Sequence, residues 1–179
     1  MKNLKKTLAL LLVSSSLSMA GTFEQNGVKE GNNRVSIGLS STLHDNSGAE
    51  ANGYIYGQYG RFLNNDVEVY LDAFISKGGT KGTDNVIKNS VSYMVGPGVN
   101  YYFLKSPTLT PYIGIQFFYS DAITDAKGDF SANGSKYYIA AHKFLSENTS
   151  ISPEMGVFLY DFVDYANTYF NIYLTYFFD

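Results

Sequence analysis

The sequence predicts an all-β chain, eight antiparallel strands closed into an up-and-down barrel, and three observations predict it. The composition is rich in Gly (17), Tyr (16) and Phe (13), with four Pro and 16% charged residues, which suits strands and turns. Polar and apolar side chains alternate in segment after segment, and no helical period runs through the chain beyond residue 20. The stretch 168–178 is itself a strand. Phe170, Ile172, Leu174, Tyr176 and Phe178 share one parity, and Asn171, Tyr173, Thr175 and Phe177 the other. An aromatic strand in last place hides its backbone edge by pairing with the first, because closure alone removes both edges of a sheet.

The N-terminus reads as a leader. Lys2, Lys5 and Lys6 form a basic head, Leu8 to Val13 a short apolar run, and Ser18-Met19-Ala20 a small-residue cleavage site after residue 20. The run is much shorter than the roughly 20 residues of a spanning helix. The expected organisation is a cleaved signal peptide (1–20), a flexible Gly-rich segment (21–33) and a barrel (34–179). Removing those three lysines from 13 basic residues leaves ten against 16 acidic ones. That balance argues against nucleic acid as a partner, which requires a basic footprint. The chain has no Cys, so thiol catalysis, Cys-ligated zinc and disulfides are excluded.

The strands follow in order. Strand one covers 34–44, with Val35, Ile37, Leu39 and Leu43 opposite Ser36, Gly38 and Ser40. Strand two, 53–62, has tyrosines on both parities. A tight Leu63-Asn64-Asn65-Asp66 turn leads to strand three, 67–76, where Val67, Val69, Leu71 and Ala73 oppose Glu68, Tyr70 and Asp72. A long loop, 77–88, precedes strand four, 89–103, in which Pro97 predicts a bulge or kink because it cannot donate to a ladder. Strand five is 111–121, followed by a long polar loop, 122–134. Strands six (135–145), seven (151–161) and eight (168–178) complete the set. Connections after strands two, four and six are short, and those after one, three and five longer and polar. That asymmetry, with spans near the roughly 9–11 residues of a tilted membrane strand, predicts a transmembrane β-barrel.

Alternation alone does not say which face is inside. A soluble lipocalin-like barrel turns its apolar face inward, and a membrane barrel turns it outward. The polar face here mixes small residues (Gly38, Gly60, Gly96, Gly98, Gly114, Gly156) with bulky ones and holds few lysines. That suits a crowded lumen better than a soluble surface. Aromatics at strand ends (Tyr59, Tyr101, Phe103, Tyr119, Tyr137, Tyr176 and Phe178) match a membrane-interface girdle. The polar lumen would then hold Gln58, Glu68, Asp72, Gln116, His142 and Glu154, paired with one another in a narrow interior.

Four stretches carry a resemblance: Phe62-Leu63-Asn64-Asn65-Asp66-Val67-Glu68-Val69, Gly98-Val99-Asn100-Tyr101-Tyr102-Phe103, Thr110-Pro111-Tyr112-Ile113-Gly114 and Lys143-Phe144-Leu145-Ser146-Glu147-Asn148. In that order they resemble the small eight-stranded outer-membrane β-barrels of Gram-negative bacteria, the OmpA-like and OmpX-like class. The resemblance implies residence in the cell outer membrane, lipid contact, insertion by the barrel-assembly machinery, and a monomer.

Enzymatic readings find little support in the sequence. His44 and His142 are the only histidines, and neither stands in a convincing version of the His-with-Ser motif of outer-membrane lipid A deacylases. The acids Asp121 with Asp125, and Asp161 with Asp164, read as solvated loop residues. The expectation is a non-enzymatic outer-membrane protein with a structural or surface-presenting role, without cofactor or metal. The alternatives are a narrow channel or carrier for small apolar molecules, and a soluble periplasmic lipocalin-like binder.

Overall fold

The computed structural model describes residues 27–44, 50–81, 87–106, 108–124, 130–161 and 166–179; the leader lies outside the described residues. Eight strands, β1 (Asn33–His44), β2 (Glu50–Phe62), β3 (Val67–Lys81), β4 (Ile87–Tyr102), β5 (Leu109–Thr124), β6 (Phe130–Phe144), β7 (Thr149–Tyr160) and β8 (Ala166–Phe178), form one closed antiparallel barrel in sequence order. The seam is made by residues 33–38 of β1 against 173–178 of β8.

The register sets the barrel's shape. Register partners can be followed from Thr168 through Val157, Tyr137, Ile115, Val99, Val69, Arg61 and Asn33. The path returns to β8 at Phe178, ten residues beyond Thr168. Eight strands with that stagger tilt by about 40° and enclose a space just wide enough for side chains to fill.

The alternation is inverted relative to a soluble barrel. Val35, Ile37, Ile55, Leu71, Ile75, Ile113, Phe117, Met155, Phe170 and Leu174 all face outward and are exposed. Leu71 is 51% exposed, whereas its neighbours Tyr70 and Asp72 are buried at 4% and 0%. The parity of β2 is settled the same way, with Tyr56 and Gln58 inside and Tyr59 outside. The core is therefore the polar face, and a continuous apolar wall is turned away from it.

Three features differ from the sequence reading. The loops expected at 77–88 and 122–134 are largely strand, with ladders running to Lys81 opposite Ile87 and to Ala122 opposite Phe130. Their Gly, Ser, Thr and Asn content resembles a loop, but a strand that rises beyond an apolar layer needs no apolar face to pair. At Pro97 the β4–β5 ladder is interrupted, yet Val95 opposite Tyr119 and Gly98 opposite Gln116 keep one register, so no bulge forms. The interruption beside Pro153 in the β6–β7 ladder likewise preserves register. In both places the missing proline N–H removes a bond without adding a residue. Finally, residues 27–32 of the expected flexible segment are seated on the short-turn end. Gly31 N donates to Phe62 O (3.0 Å), Phe62 N to Asn32 O (2.9 Å) and Glu30 N to Asn65 Oδ1 (3.0 Å), while Val28 is buried.

Candidate functional site: the sealed lumen

All six polar groups expected in the lumen lie inside it. Glu68, Asp72, Gln116 and His142 are 0% exposed, Glu154 1% and Gln58 3%. The structure divides them between two clusters. In the lower one, toward the short turns, Arg34 Nε lies 2.5 Å from Glu68 Oε1, and its Nη1 donates to Ser36 Oγ (2.7 Å) and Gln58 Oε1 (3.0 Å). Glu68 Oε2 accepts from Asn100 Nδ2 (2.8 Å) and Tyr102 OH (2.7 Å). His142 sits beside this pair. Its Nε2 is 3.2 Å from Tyr102 OH and its Nδ1 is 2.6 Å from Ser152 Oγ and 3.1 Å from Ser150 Oγ. A row of hydroxyls, Ser152, Thr175 and Ser36, links the histidine back to Arg34.

In the upper cluster Lys136 reaches across the lumen. Its Nζ is 2.9 Å from Glu154 Oε1 on β7 and 3.3 Å from Asp72 Oδ2 on β3. Glu154 Oε1 also accepts from Tyr169 OH (2.9 Å) and Tyr173 OH (3.4 Å). Gln116 Nε2 donates to Gly96 O at 3.3 Å. Tyr138 OH, bonded to Asn100 Oδ1, joins the two clusters. Burying a charge without a partner is prohibitive, so cations and carboxylates on opposite walls hold those walls at a fixed distance.

Aromatic layers bound the charges at both ends. Below, Phe62, Tyr102, Phe144 and Phe177 pack with centroids 5.2–6.2 Å apart along the chain Tyr102–Phe62–Phe177–Phe144. Tyr112 and Tyr102 stack on His142 at 4.7 and 5.8 Å. Val28 joins this layer from the N-terminal segment. Above, Tyr54, Tyr56 and Phe74 stack on one wall, and Phe118, Phe158 and Tyr169 meet on the other. The ammonium of Lys136 lies over the Tyr138 ring at 4.8 Å and the Tyr169 ring at 5.3 Å.

Parity could have found the cations that the sequence reading did not assign. Arg34 shares its face with Ser36 and Gly38, and Lys136 shares its face with Tyr138, Ala140 and His142. Arg34 and Lys136 stand near the starts of the strands expected at 34–44 and 135–145, where a long basic side chain is easily read as a surface residue, and the opposing carboxylates on other strands show what their shared parity means. Asn100, Tyr102, Ser152 and Thr175 are further network members of the same kind.

The aromatic residues expected in an interface girdle all face outward. Tyr101, Tyr176 and Phe178 stand at the short-turn ends of their strands, with Phe103 just past β4. Tyr59, three residues before the end of β2, donates to Asn33 Oδ1 at that end (2.9 Å). Tyr119 lies toward the opposite end, opposite Val95. Tyr137 is in register with Ile115 and Val157, in the middle of β6 rather than at an end.

The His–Ser proximity invites a nucleophilic reading, but His142, Ser150 and Ser152 each have no solvent exposure, so a substrate would have no access to the hydroxyls. The side chain of His44, and Asp125 and Asp164, fall outside the described residues. Among the described residues no group of three or more His, Asp or Glu side chains gathers as a metal site would.

No family model and no curated protein matches the sequence. Solved structures do match the fold. The N-terminal β-barrel domain of OprF from Pseudomonas aeruginosa aligns with a TM-score of 0.59 at 15% identity, over 83% of this chain and 98% of that one. The outer membrane protein OprG of the same organism aligns at 0.60 and 12% identity, over 87% and 99%. Ail, the attachment invasion locus protein of Yersinia pestis, aligns at 0.58 and 16% identity, over 83% and 99%. The chain has the eight-stranded transmembrane β-barrel fold of these small outer-membrane proteins.

Proposed function

We propose that this chain is an integral protein of the bacterial outer membrane, non-enzymatic, with a structural or surface-presenting role in the envelope. One observation carries the reading: the apolar residues form the outside wall and the ion pairs fill the inside. Apolar side chains over a whole cylinder surface are tolerated where hydrocarbon surrounds them, and a closed barrel satisfies every ladder bond internally. The lumen supports an inert interior. Arg34–Glu68 and Lys136–Asp72/Glu154 cross-link it, and aromatic layers lie above and below. The strands β3 to β6, of 15 or 16 residues, exceed the roughly 9–11 that span a membrane, so their hairpins project as the presenting surface. In this reading the partners are outer-membrane lipid and, during insertion, the barrel-assembly machinery, and the inserted protein is a monomer.

Fractionation with a heat-modifiability gel tests the reading. The expected result is retention in the outer-membrane fraction and a different mobility before and after boiling. Release with the soluble periplasmic fraction in the absence of detergent would overturn it. Planar bilayers should record no steady single-channel conductance, and a stable open level would favour the channel alternative.

A further inference from the structure

The upper cluster carries an imbalance that its own side chains do not correct. One ammonium, Lys136, faces two carboxylates, Asp72 and Glu154, and all three are at most 1% exposed. The lower pair, Arg34 with Glu68, balances itself, and His142 belongs to that lower group. Each upper carboxylate gives one oxygen to Lys136. Among the described residues Asp72 Oδ1 and Glu154 Oε2 receive no hydrogen bond, while the amide nitrogen of Gln58, the register partner of Asp72, donates none. Gln116 Oε1 also receives none. Gln116 is the register partner of Lys136, and its amide nitrogen bonds Gly96 O, whose residue is the register partner of Asp72. Three hard oxygen acceptors thus belong to neighbouring side chains around a local surplus of one negative charge.

Buried acceptors need a donor or a cation, and a local surplus of negative charge favours the cation. Carboxylate and amide oxygens select hard cations rather than soft ones. A divalent ion would overcorrect a surplus of one. We infer that this cluster binds a single monovalent alkali cation, held by Asp72 Oδ1, Glu154 Oε2 and Gln116 Oε1. A proton on one carboxyl would supply the same charge, so the test separates the two. Lys136, Tyr138, Tyr169 and Tyr173 face the carboxylates from β6 and β8, and Tyr56 and Tyr70 from β2 and β3.

The protein, refolded into detergent micelles, is unfolded with urea in sodium chloride and in choline chloride of equal ionic strength, at two pH values. The expected result is a folded-to-unfolded ratio that rises up to about tenfold per tenfold increase in sodium. Choline has no such effect. Asp72→Asn, which leaves one ammonium facing one carboxylate, abolishes the sodium dependence. If that variant does not refold, Glu154→Gln makes the same correction from the other wall. Stability that is flat in sodium overturns the inference: a response to pH alone assigns the charge to a proton, and a response to neither assigns the oxygens to water. Sodium dependence that survives in the refolded variant overturns it as well. A heat-modifiable barrel can still be indifferent to sodium, so this inference and the membrane reading fail separately.

Discussion

Glu68 is the residue on which the lower lumen converges. Its two oxygens accept from Arg34, Asn100 and Tyr102, contributed by β1 and β4, while the residue itself sits on β3. Glu68→Ala removes the acceptor for a guanidinium and two further donors, all fully or nearly fully buried. The expected cost is about 3–5 kcal/mol, the range for stranding one member of a buried ion pair. Replacing both partners, in Arg34→Leu/Glu68→Leu, should cost clearly less than the two single changes added together, because no orphaned charge remains. Equilibrium unfolding of the refolded protein in urea reads both values, and additive costs would count against a coupled pair. The acidic half of this network was legible from parity alone, since Glu68, Asp72 and Glu154 stand on polar faces. The pairing was not, because Arg34 with Glu68 and Lys136 with Asp72 are 34 and 64 residues apart, on strands whose relative heights follow from the stagger of the closed barrel.

At the level of the strand, the wall is sensitive to volume only on one side. A methyl group on Gly96 would fall on the Phe117 carbonyl oxygen and crowd Phe118 Cα, where the β4–β5 ladder is already interrupted. Both obstacles are backbone and cannot rotate away. Gly96→Ala should therefore destabilise by about 1–3 kcal/mol, as overpacking does. Gly57 occupies the outward face of β2, and a methyl group added there would meet nothing within 4 Å. Gly57→Ala should be neutral or stabilise by up to about 1 kcal/mol, since alanine loses less backbone entropy on ordering. Urea midpoints for the two variants give opposite signs, and equal effects would refute this assignment of faces. Strand existence was readable because a period of two survives in most segments; it fades in β2, where tyrosines stand on both parities and only burial separates Tyr56 from Tyr59. Strand length was not, for the upper parts of β3 to β6 are built of residues that also make loops, and only their ladders distinguish the two. The Asn-rich turn at 63–66 was legible because its chemistry is local: Asn64 Oδ1 accepts from Asp66 N (2.8 Å) and Val67 N (2.9 Å).

For the molecule as a whole, the decisive variable is what surrounds the apolar wall. The same alternation builds a soluble binder or a membrane barrel, and the two differ in the direction of every side chain at once. Leu71 is suited to separate them. It faces outward between Tyr59 on β2 and Pro97 on β4, about halfway along the portion of β3 that carries apolar outward residues. A lysine there would be harmless on a surface bathed in water and costly in hydrocarbon, where a midplane cation costs about 2–4 kcal/mol. The control is Glu147→Lys in the exposed turn after β6, where a surface change should stay within about 0.5 kcal/mol. With the protein folded into lipid vesicles and titrated with urea, Leu71→Lys should lose stability by that larger amount and Glu147→Lys should not. Equal, small effects from both variants would mean that the wall at Leu71 is not in contact with lipid, and the outward apolar face would then require a protein partner to cover it.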